Sequence, residues 1–295
     1  MFRVRRLLAP FVLCIALLFS EAQAFTIAWL SDTQNYHNAY KPIFDGMTQW
    51  IADNREALDI RFVFHTGDVV GSWSSEDQWR QARESMDILS SASIPFLVAC
   101  GNHDIGYRMN YANFLKYVLS LRPASMSQEY GDTGSRYELF SANGRDYIFM
   151  GIAFSNKGPS EDEVNWINGV LRQYSSRDAI IITHSYLKKS ASYTTQGKAI
   201  FEKIVKANPN VFLVLCGHCR DISYKNVQLD DDGDGDPDRT VYAILSNFQG
   251  SKAGGGGYMR ILDFRDSDIY IYTYSPYYDS CEYPKGKTEA TVPLP

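Results

Sequence analysis

The 295-residue chain is 45% hydrophobic and 21% charged, with a formal net charge of −5. This composition excludes an intrinsically disordered chain, and the acidic balance excludes a protein that holds nucleic acid by bulk charge. The length suffices for one large domain or two small ones.

The N-terminus departs from this average. Arg3, Arg5 and Arg6 precede an apolar run over residues 7–19, and Ala22-Gln23-Ala24 offers a small-x-small cleavage site. That is the pattern of a secretory signal, too short for a stable membrane span. Residues 1–24 are therefore expected to be removed, leaving an exported protein, periplasmic or extracellular, that starts at Phe25 and has no membrane segment. Cleavage takes away three Arg and one Glu and moves the formal charge from −5 to −7.

Residues 26–30 form a short apolar strand pattern, closed by Ser31-Asp32-Thr33-Gln34. The spacing of Ile43, Met47, Trp50 and Ile51 predicts a helix over 40–56. A second strand, 61–64, ends in His65-Thr66-Gly67-Asp68, and Trp79, Ala82, Met86 and Leu89 predict a helix over 75–90. The apolar run 94–99 predicts a third strand, broken by Cys100-Gly101-Asn102-His103-Asp104. A helix is expected over 111–121. Strands 137–140 and 147–154 flank Asn143-Gly144, a hairpin signal. Ser160 and Glu163 make a capping box for a helix carrying Val164, Ile167 and Leu171. Strand 179–182 ends in Thr183-His184; a helix over 196–207 leads to strand 211–215 and Cys216-Gly217-His218-Cys219. Strands are then expected at 240–245, 258–264 and 269–274. After Pro276 the chain shows no clear periodicity, so the expected organisation is one domain over 25–275 and a C-terminal tail over 276–295. Strand–helix alternation followed by strands predicts a two-sheet α/β sandwich.

Five strand ends carry side chains able to hold a metal: Asp32 and Gln34; Asp68; Asn102, with His103 and Asp104; His184; and His218 with Cys219. In open α/β sheets ligands bind at such ends. The ordered set resembles the calcineurin-like metallophosphoesterase superfamily, whose pattern is Asp-x-His, Gly-Asp, Gly-Asn-His-Asp/Glu, His and Gly-His-x-His. The resemblance runs from about Thr26 to Tyr274. Leu245-Ser246-Asn247-Phe248-Gln249 and Gly257-Tyr258-Met259-Arg260 are similar to an exported bacterial branch in which Gln is common in the first motif.

The resemblance implies a four-layer αββα sandwich with two mixed β-sheets and two divalent or trivalent metal ions, zinc, iron or manganese. It implies Asp68 as the carboxylate shared by both ions. Asn102, His184 and His218 would complete one site, and Asp32, Gln34 and Cys219 the other. His103 corresponds to the histidine that contacts phosphate and protonates the leaving oxygen, and Asp104 to the group that orients its ring. Two positions depart from the pattern. Gln34 replaces an imidazole by an amide, which leaves direct ligation, a water-mediated contact and a supporting role open. Cys219 is open between ligand and structural or oxidised thiol; as a thiolate it would favour zinc or iron over magnesium. His65, inside a buried strand, is expected as a satisfied core histidine.

A separate run, Asp230-x-Asp232-x-Asp234-Gly235-Asp236-x-Asp238, places carboxylates at alternate positions around a glycine, as in the first half of an EF-hand loop. Val241 stands where the closing glutamate belongs, and calcium binding and an acidic solvated hairpin loop both remain open. The expected activity is an exported metal-dependent phosphoesterase. It would hydrolyse a small-molecule or oligomeric phosphomonoester or phosphodiester with metal-activated water. The alternatives are a non-catalytic or single-metal relative acting in ligand binding and, against the charge and the lack of a basic stripe with stacking aromatics, an exported nuclease.

Overall fold

The computed structural model describes residues 24–118, 120, 127–283 and 288–295. Residues 1–23 of the expected signal, and the end of the helix expected over 111–121, lie outside the described residues. The first sheet's segments are β1 (Phe25–Leu30), β2 (Ile60–His65), β3 (Phe96–Val98), β11 (Met259–Phe264), β12 (Asp268–Tyr274) and β13 (Glu289–Pro293). Its order is β13-β12-β11-β1-β2-β3, with β1, β2 and β3 parallel. The second sheet holds β4 (Ser127–Tyr130), β5 (Ser135–Ala142), β6 (Arg145–Ile152), β7 (Asp178–Thr183), β8 (Val211–Cys216), β9 (Asp221–Leu229) and β10 (Arg239–Asn247). Its order is β4-β5-β6-β7-β8-β10-β9, parallel from β6 through β10. The helices are α1 (Lys41–Asp53), α2 (Glu76–Ser91), α3 (Ala112–Tyr117), α4 (Glu161–Gln173) and α5 (Thr195–Ile200), the last running into a π-type turn at Phe201–Val205.

Period-two alternation sorts the strand side chains into layers. On β1, Phe25, Ile27 and Trp29 face the second sheet and pack with Phe149, Ile180 and Leu213. Ala28 and Leu30 point the other way, into a cluster with Met47 of α1 and Trp79 of α2. On β7, Ile180 and Ile182 join the inter-sheet layer, while Ala179 and Ile181 pack with Ile167 and Leu171 of α4. The result is the helix–sheet–sheet–helix sandwich. Where both faces of a strand are covered, the sequence reads as an uninterrupted apolar run, which is why the central strands are visible in it.

Three strands fall where no strand is expected: β4, β9 and β13. All are sheet edges. An edge strand pairs on one side only and is usually more polar, as in Ser-Gln-Glu-Tyr of β4. β13 also corrects the expected tail, because residues 289–293 pair antiparallel with β12 and belong to the first sheet. The buried Arg260 binds these parts together, donating to Thr273 Oγ1 (2.7 Å), the Thr288 carbonyl (3.0 Å) and Tyr224 OH of β9 (2.7 Å). The capping box forms in half. Ser160 Oγ accepts from Glu163 N, while the Glu163 carboxylate turns away to Ser135 Oγ.

Phe149 is fully buried at the centre of the inter-sheet layer, with ring centroids 4.8 Å from Phe64 and 5.0 Å from Phe62. Phe149→Ala is expected to lower unfolding free energy by about 3–5 kcal/mol, measured from urea denaturation curves.

Candidate metal centre

The parallel strands deliver their C-terminal ends to one edge of the sandwich, and the loops that follow them interlock. Thr66 N donates to the Leu30 carbonyl, Asp32 N to Gly67, Gly217 N to His184 and Phe154 N to Cys100. Asp32, Asp68 and His218 all have positive φ (52°, 54° and 70°), a left-handed conformation that is uncommon outside glycine. Such strain persists only where neighbours over-determine it. The glycines of two motifs permit the close approach. A Cβ on Gly101 would lie 2.2 Å from Asp68 N, and one on Gly217 would lie 2.3 Å from Asp32 Oδ2.

Inside this edge, His184 is completely buried. Its Nδ1 lies 2.8 Å from the Thr66 carbonyl, which can only accept, so the proton sits on Nδ1. Its Nε2 then faces Asn102 Oδ1 at 3.0 Å, His218 Nδ1 at 3.1 Å and Asp68 Oδ2 at 3.3 Å. With the His184 proton on Nδ1, the Nε2 lone pair faces these three atoms, an arrangement that calls for positive charge among them. Ligands bound at right angles to one cation at about 2.0–2.2 Å stand about 3 Å apart, the spacing found here. Electrostatics describe the same demand for positive charge. Burial alone would depress the His184 pKa, yet the Asp68 and Asp32 carboxylates and the Thr66 carbonyl push it up to about 9. His218 is lowered to about 4 by burial and by His184.

Beside this cluster, Asp68 Oδ2 also accepts from Gln34 Nε2 at 3.0 Å. Gln34 Oε1 is buried with no hydrogen-bond partner, an orphaned acceptor next to a carboxylate. Such an atom fits a cation. Asp32 is buried, its two oxygens 3.2 Å from His218 N and one of them accepting from Ser31 Oγ. Burial, opposed by His184, raises its pKa to about 7.

Residues 25–219 match the calcineurin-like phosphoesterase family. The chain belongs to this family. The chain is 41% identical over 259 residues to YvnB of Bacillus subtilis (strain 168), itself uncharacterised; the match covers 86% of this chain and spans about 20% of that protein. In fold it is similar to a dimetal phosphatase from Danio rerio (TM-score 0.63, 13% identity, covering 92% of this chain and 99% of that one). It is also similar to the purple acid phosphatase PPD1 of yellow lupin, Lupinus luteus (TM-score 0.59, 12% identity, 92% and 54%).

The structure thus brings Asp68, Asn102, His184 and His218 together, with Gln34 on Asp68 and Asp32 against the His218 backbone. Among the described residues, Asp68, His184 and His218 are the metal-capable group formed at this edge. Cys219 stands outside it. Its side chain packs against the apolar cluster under the second sheet, and burial followed by the nearby Asp32 raises its thiol pKa. Among the described residues no disulfide joins Cys100, Cys216, Cys219 or Cys281. His65 is a core histidine, as expected: Nδ1 accepts from Gly67 N, Nε2 meets Thr33 Oγ1, and burial lowers its pKa to about 3.

Asp104 requires a correction. It does not touch the His103 ring. Its buried carboxylate accepts from Val69 N (2.8 Å), Val70 N (3.1 Å) and Gly101 N (2.8 Å), tying the β2 and β3 loops together. The exposed His103 ring is oriented instead by the Gly71 carbonyl, 3.0 Å from Nδ1, while its backbone N donates to Asp68 Oδ1. The Thr66 and Gly71 carbonyls carry no side-chain signal and are invisible in the sequence. Asn247 supports the site from β10 through Nδ2 to the His218 carbonyl (3.0 Å). Phe154 sets its ring edge-on to His184 at 5.9 Å.

The acidic run lies at the far end of β10 from Asn247, in the exposed β9–β10 loop. Oxygens of Asp230, Asp232 and Asp238 come within 4.8 Å of one another; Asp234 and Asp236 are outside that group. Asp230 accepts from Gly233 N and Gly235 N, and Asp238 from Asp231 N, so the carboxylates shape the loop's own turns.

Asp104→Asn turns one amide-facing oxygen into a donor. It is expected to cost about 1–3 kcal/mol of stability, seen in urea unfolding of chelator-treated protein; an unchanged midpoint would contradict the backbone-tying role.

Proposed function

We propose that this chain hydrolyses phosphomonoesters or phosphodiesters at a two-cation centre held by Asp32, Gln34, Asp68, Asn102, His184 and His218. The observation that carries this reading is the convergence of Asn102, Asp68 and His218 lone pairs on His184 Nε2. Bound there, two cations would acidify a water toward neutral pH and offset the charge of the phosphoryl oxygens. Asp68 presents one oxygen to the His184 cluster and shares that oxygen with Gln34, which suits a carboxylate placed between two ions. Thr66 fixes the His184 tautomer so that Nε2 stays a ligand. The Gly71 carbonyl takes the His103 Nδ1 hydrogen, so that in the imidazolium the second hydrogen, on Nε2, faces the exposed rim and can pass to a leaving oxygen. Zinc, iron and manganese all suit this mixed nitrogen and oxygen donor set.

The second reading is a single-metal relative that binds ligands without turnover. The Asp32–Gln34 half of the centre favours it, because it offers an amide and a carboxylate already engaged by Ser31 and the His218 amide. On sequence grounds we further propose export, with the mature protein beginning at Phe25.

Elemental analysis and turnover of an aryl phosphate and a bis-aryl phosphodiester, with manganese, zinc and iron, test the primary reading. Two ions per chain and measurable turnover are expected. Asp68→Asn and His184→Ala should lose bound metal and more than about a hundredfold in rate. His103→Ala should keep its metal and lose about 10²–10⁴ in kcat. One ion with no turnover would establish the second reading; retention of metal by His184→Ala would refute both.

A further inference from the structure

Next to the metal centre, Asn102 and Phe154 border a cavity of about 510 Å³, within the size range of small-molecule sites. One wall is Trp73, from the β2–α2 loop. The other is a tight hairpin between β3 and α3, closed by Gly106 N to the Asn110 carbonyl (2.8 Å) and Asn110 N to the Gly106 carbonyl (3.3 Å). The walls brace each other: a Cβ on Gly106 would sit 2.8 Å from the Trp73 ring, so the hairpin backbone lies against the indole. The Trp73 carbonyl is held by Trp79 Nε1 and Asn113 Nδ2. At the hairpin tip Arg108 and Met109 both have positive φ (58° and 61°), where such turns normally use Asn or Gly.

The lining is aromatic and apolar where a phosphoester site open to water would be expected to be polar. Trp73 is 38% exposed and Tyr107 79% exposed, two large rings offered to solvent at the rim. Ile105, Met109 and Phe154 complete the apolar surface, and Asn156 places an amide at its edge. Among the described lining residues the one cation is Arg108, which lies 5.4 Å from the Tyr107 ring. A second phosphate would therefore find little charge to bind it here. His103 Nδ1 lies 3.0 Å from the Gly71 carbonyl, two residues before Trp73, and His103 follows the lining residue Asn102 directly in the chain.

We propose that this cleft receives the organic group of the substrate, and that it selects a planar aromatic group stacked on Trp73 and flanked by Tyr107. The inference rests on the phosphoesterase reading above. Hydrolysis of such an ester joins the oxygen of water to phosphorus and breaks the phosphorus–oxygen bond to the aromatic alcohol. The departing oxygen takes the Nε2 proton of the His103 imidazolium, leaving the neutral ring with its hydrogen on Nδ1, and the proton lost by water restores the imidazolium. Stacking on an indole is specific to flat π-faces and weak for saturated rings of equal size.

Binding of methylphosphonate, cyclohexylmethylphosphonate and benzylphosphonate to the metal-loaded protein, measured by calorimetry, tests this directly. Benzylphosphonate is expected to bind about tenfold or more tightly than its cyclohexyl counterpart. Trp73→Ala should collapse that ratio, and Trp73→Phe should keep part of it, with metal content confirming that each variant is folded. Equal affinity for the flat and saturated rings, or a ratio that survives Trp73→Ala, would overturn the proposal while leaving the phosphoesterase reading in place. Failure of all three phosphonates to bind, with no ester turnover, would overturn both.

Discussion

Asn102 Oδ1, His218 Nδ1 and Asp68 Oδ2 stand 3.0, 3.1 and 3.3 Å from His184 Nε2, and lone pairs gathered in this way repel unless positive charge stands among them. The arrangement of Asn102, Asp68 and His218 around His184 Nε2 imposes that requirement, and much of the fold is what it takes to sustain it. Parallel strands in both sheets bring their loops to one edge. The apolar layer between the sheets fixes their spacing. Backbone conformations that Asp32, Asp68 and His218 would not adopt alone are kept by amides donated to carbonyls and carboxylates of neighbouring loops.

The two halves of the centre are unequal, and the inequality has an electrostatic consequence. In the proposed centre Asp32 and Asp68 would supply the carboxylates, and Gln34, Asn102, His184 and His218 would bind as neutral ligands. Two divalent cations there would leave a formal excess of two positive charges to face an incoming phosphoester anion. The Cys219 thiol, packed into the apolar cluster with its pKa raised, does not reduce that excess. A histidine in place of Gln34 would not change the count. What the amide changes is donor strength, and with it how firmly the first ion is held.

What could be recognised in the sequence follows from burial. β1, β2, β7 and β8 are covered on both faces, so they appear as apolar runs, and the ligands stand immediately after them. The edge strands β4, β9 and β13 are covered less and pair on one side, so no such run marks them. The exchange of roles at Asp104 has a different cause. Adjacent residues in a tight turn point to opposite sides, which sends His103 outward and Asp104 into the protein, where three amide hydrogens await it. The true orienting partners, the Thr66 and Gly71 carbonyls, are backbone atoms, and any residue type would supply them.

Residues 66–73 link the histidine cluster, His103 and the cleft along one stretch of backbone. Within this one segment Thr66 sets the His184 tautomer, Asp68 places its carboxylate between His184 and Gln34, Gly71 orients His103 and Trp73 forms a wall of the cleft. Its far end is held by Gln78 Oε1, which accepts from Gly71 N and Ser72 N at 2.9 Å each, and by the Ser75 cap that starts α2. A displacement of the indole would thus be felt two residues away, at the carbonyl that positions the proton donor. In the proposed function, recognition of the organic group and protonation of the leaving oxygen would be linked through this stretch of backbone rather than through a chain of side-chain contacts, so loosening Trp73 is expected to change kcat as well as affinity.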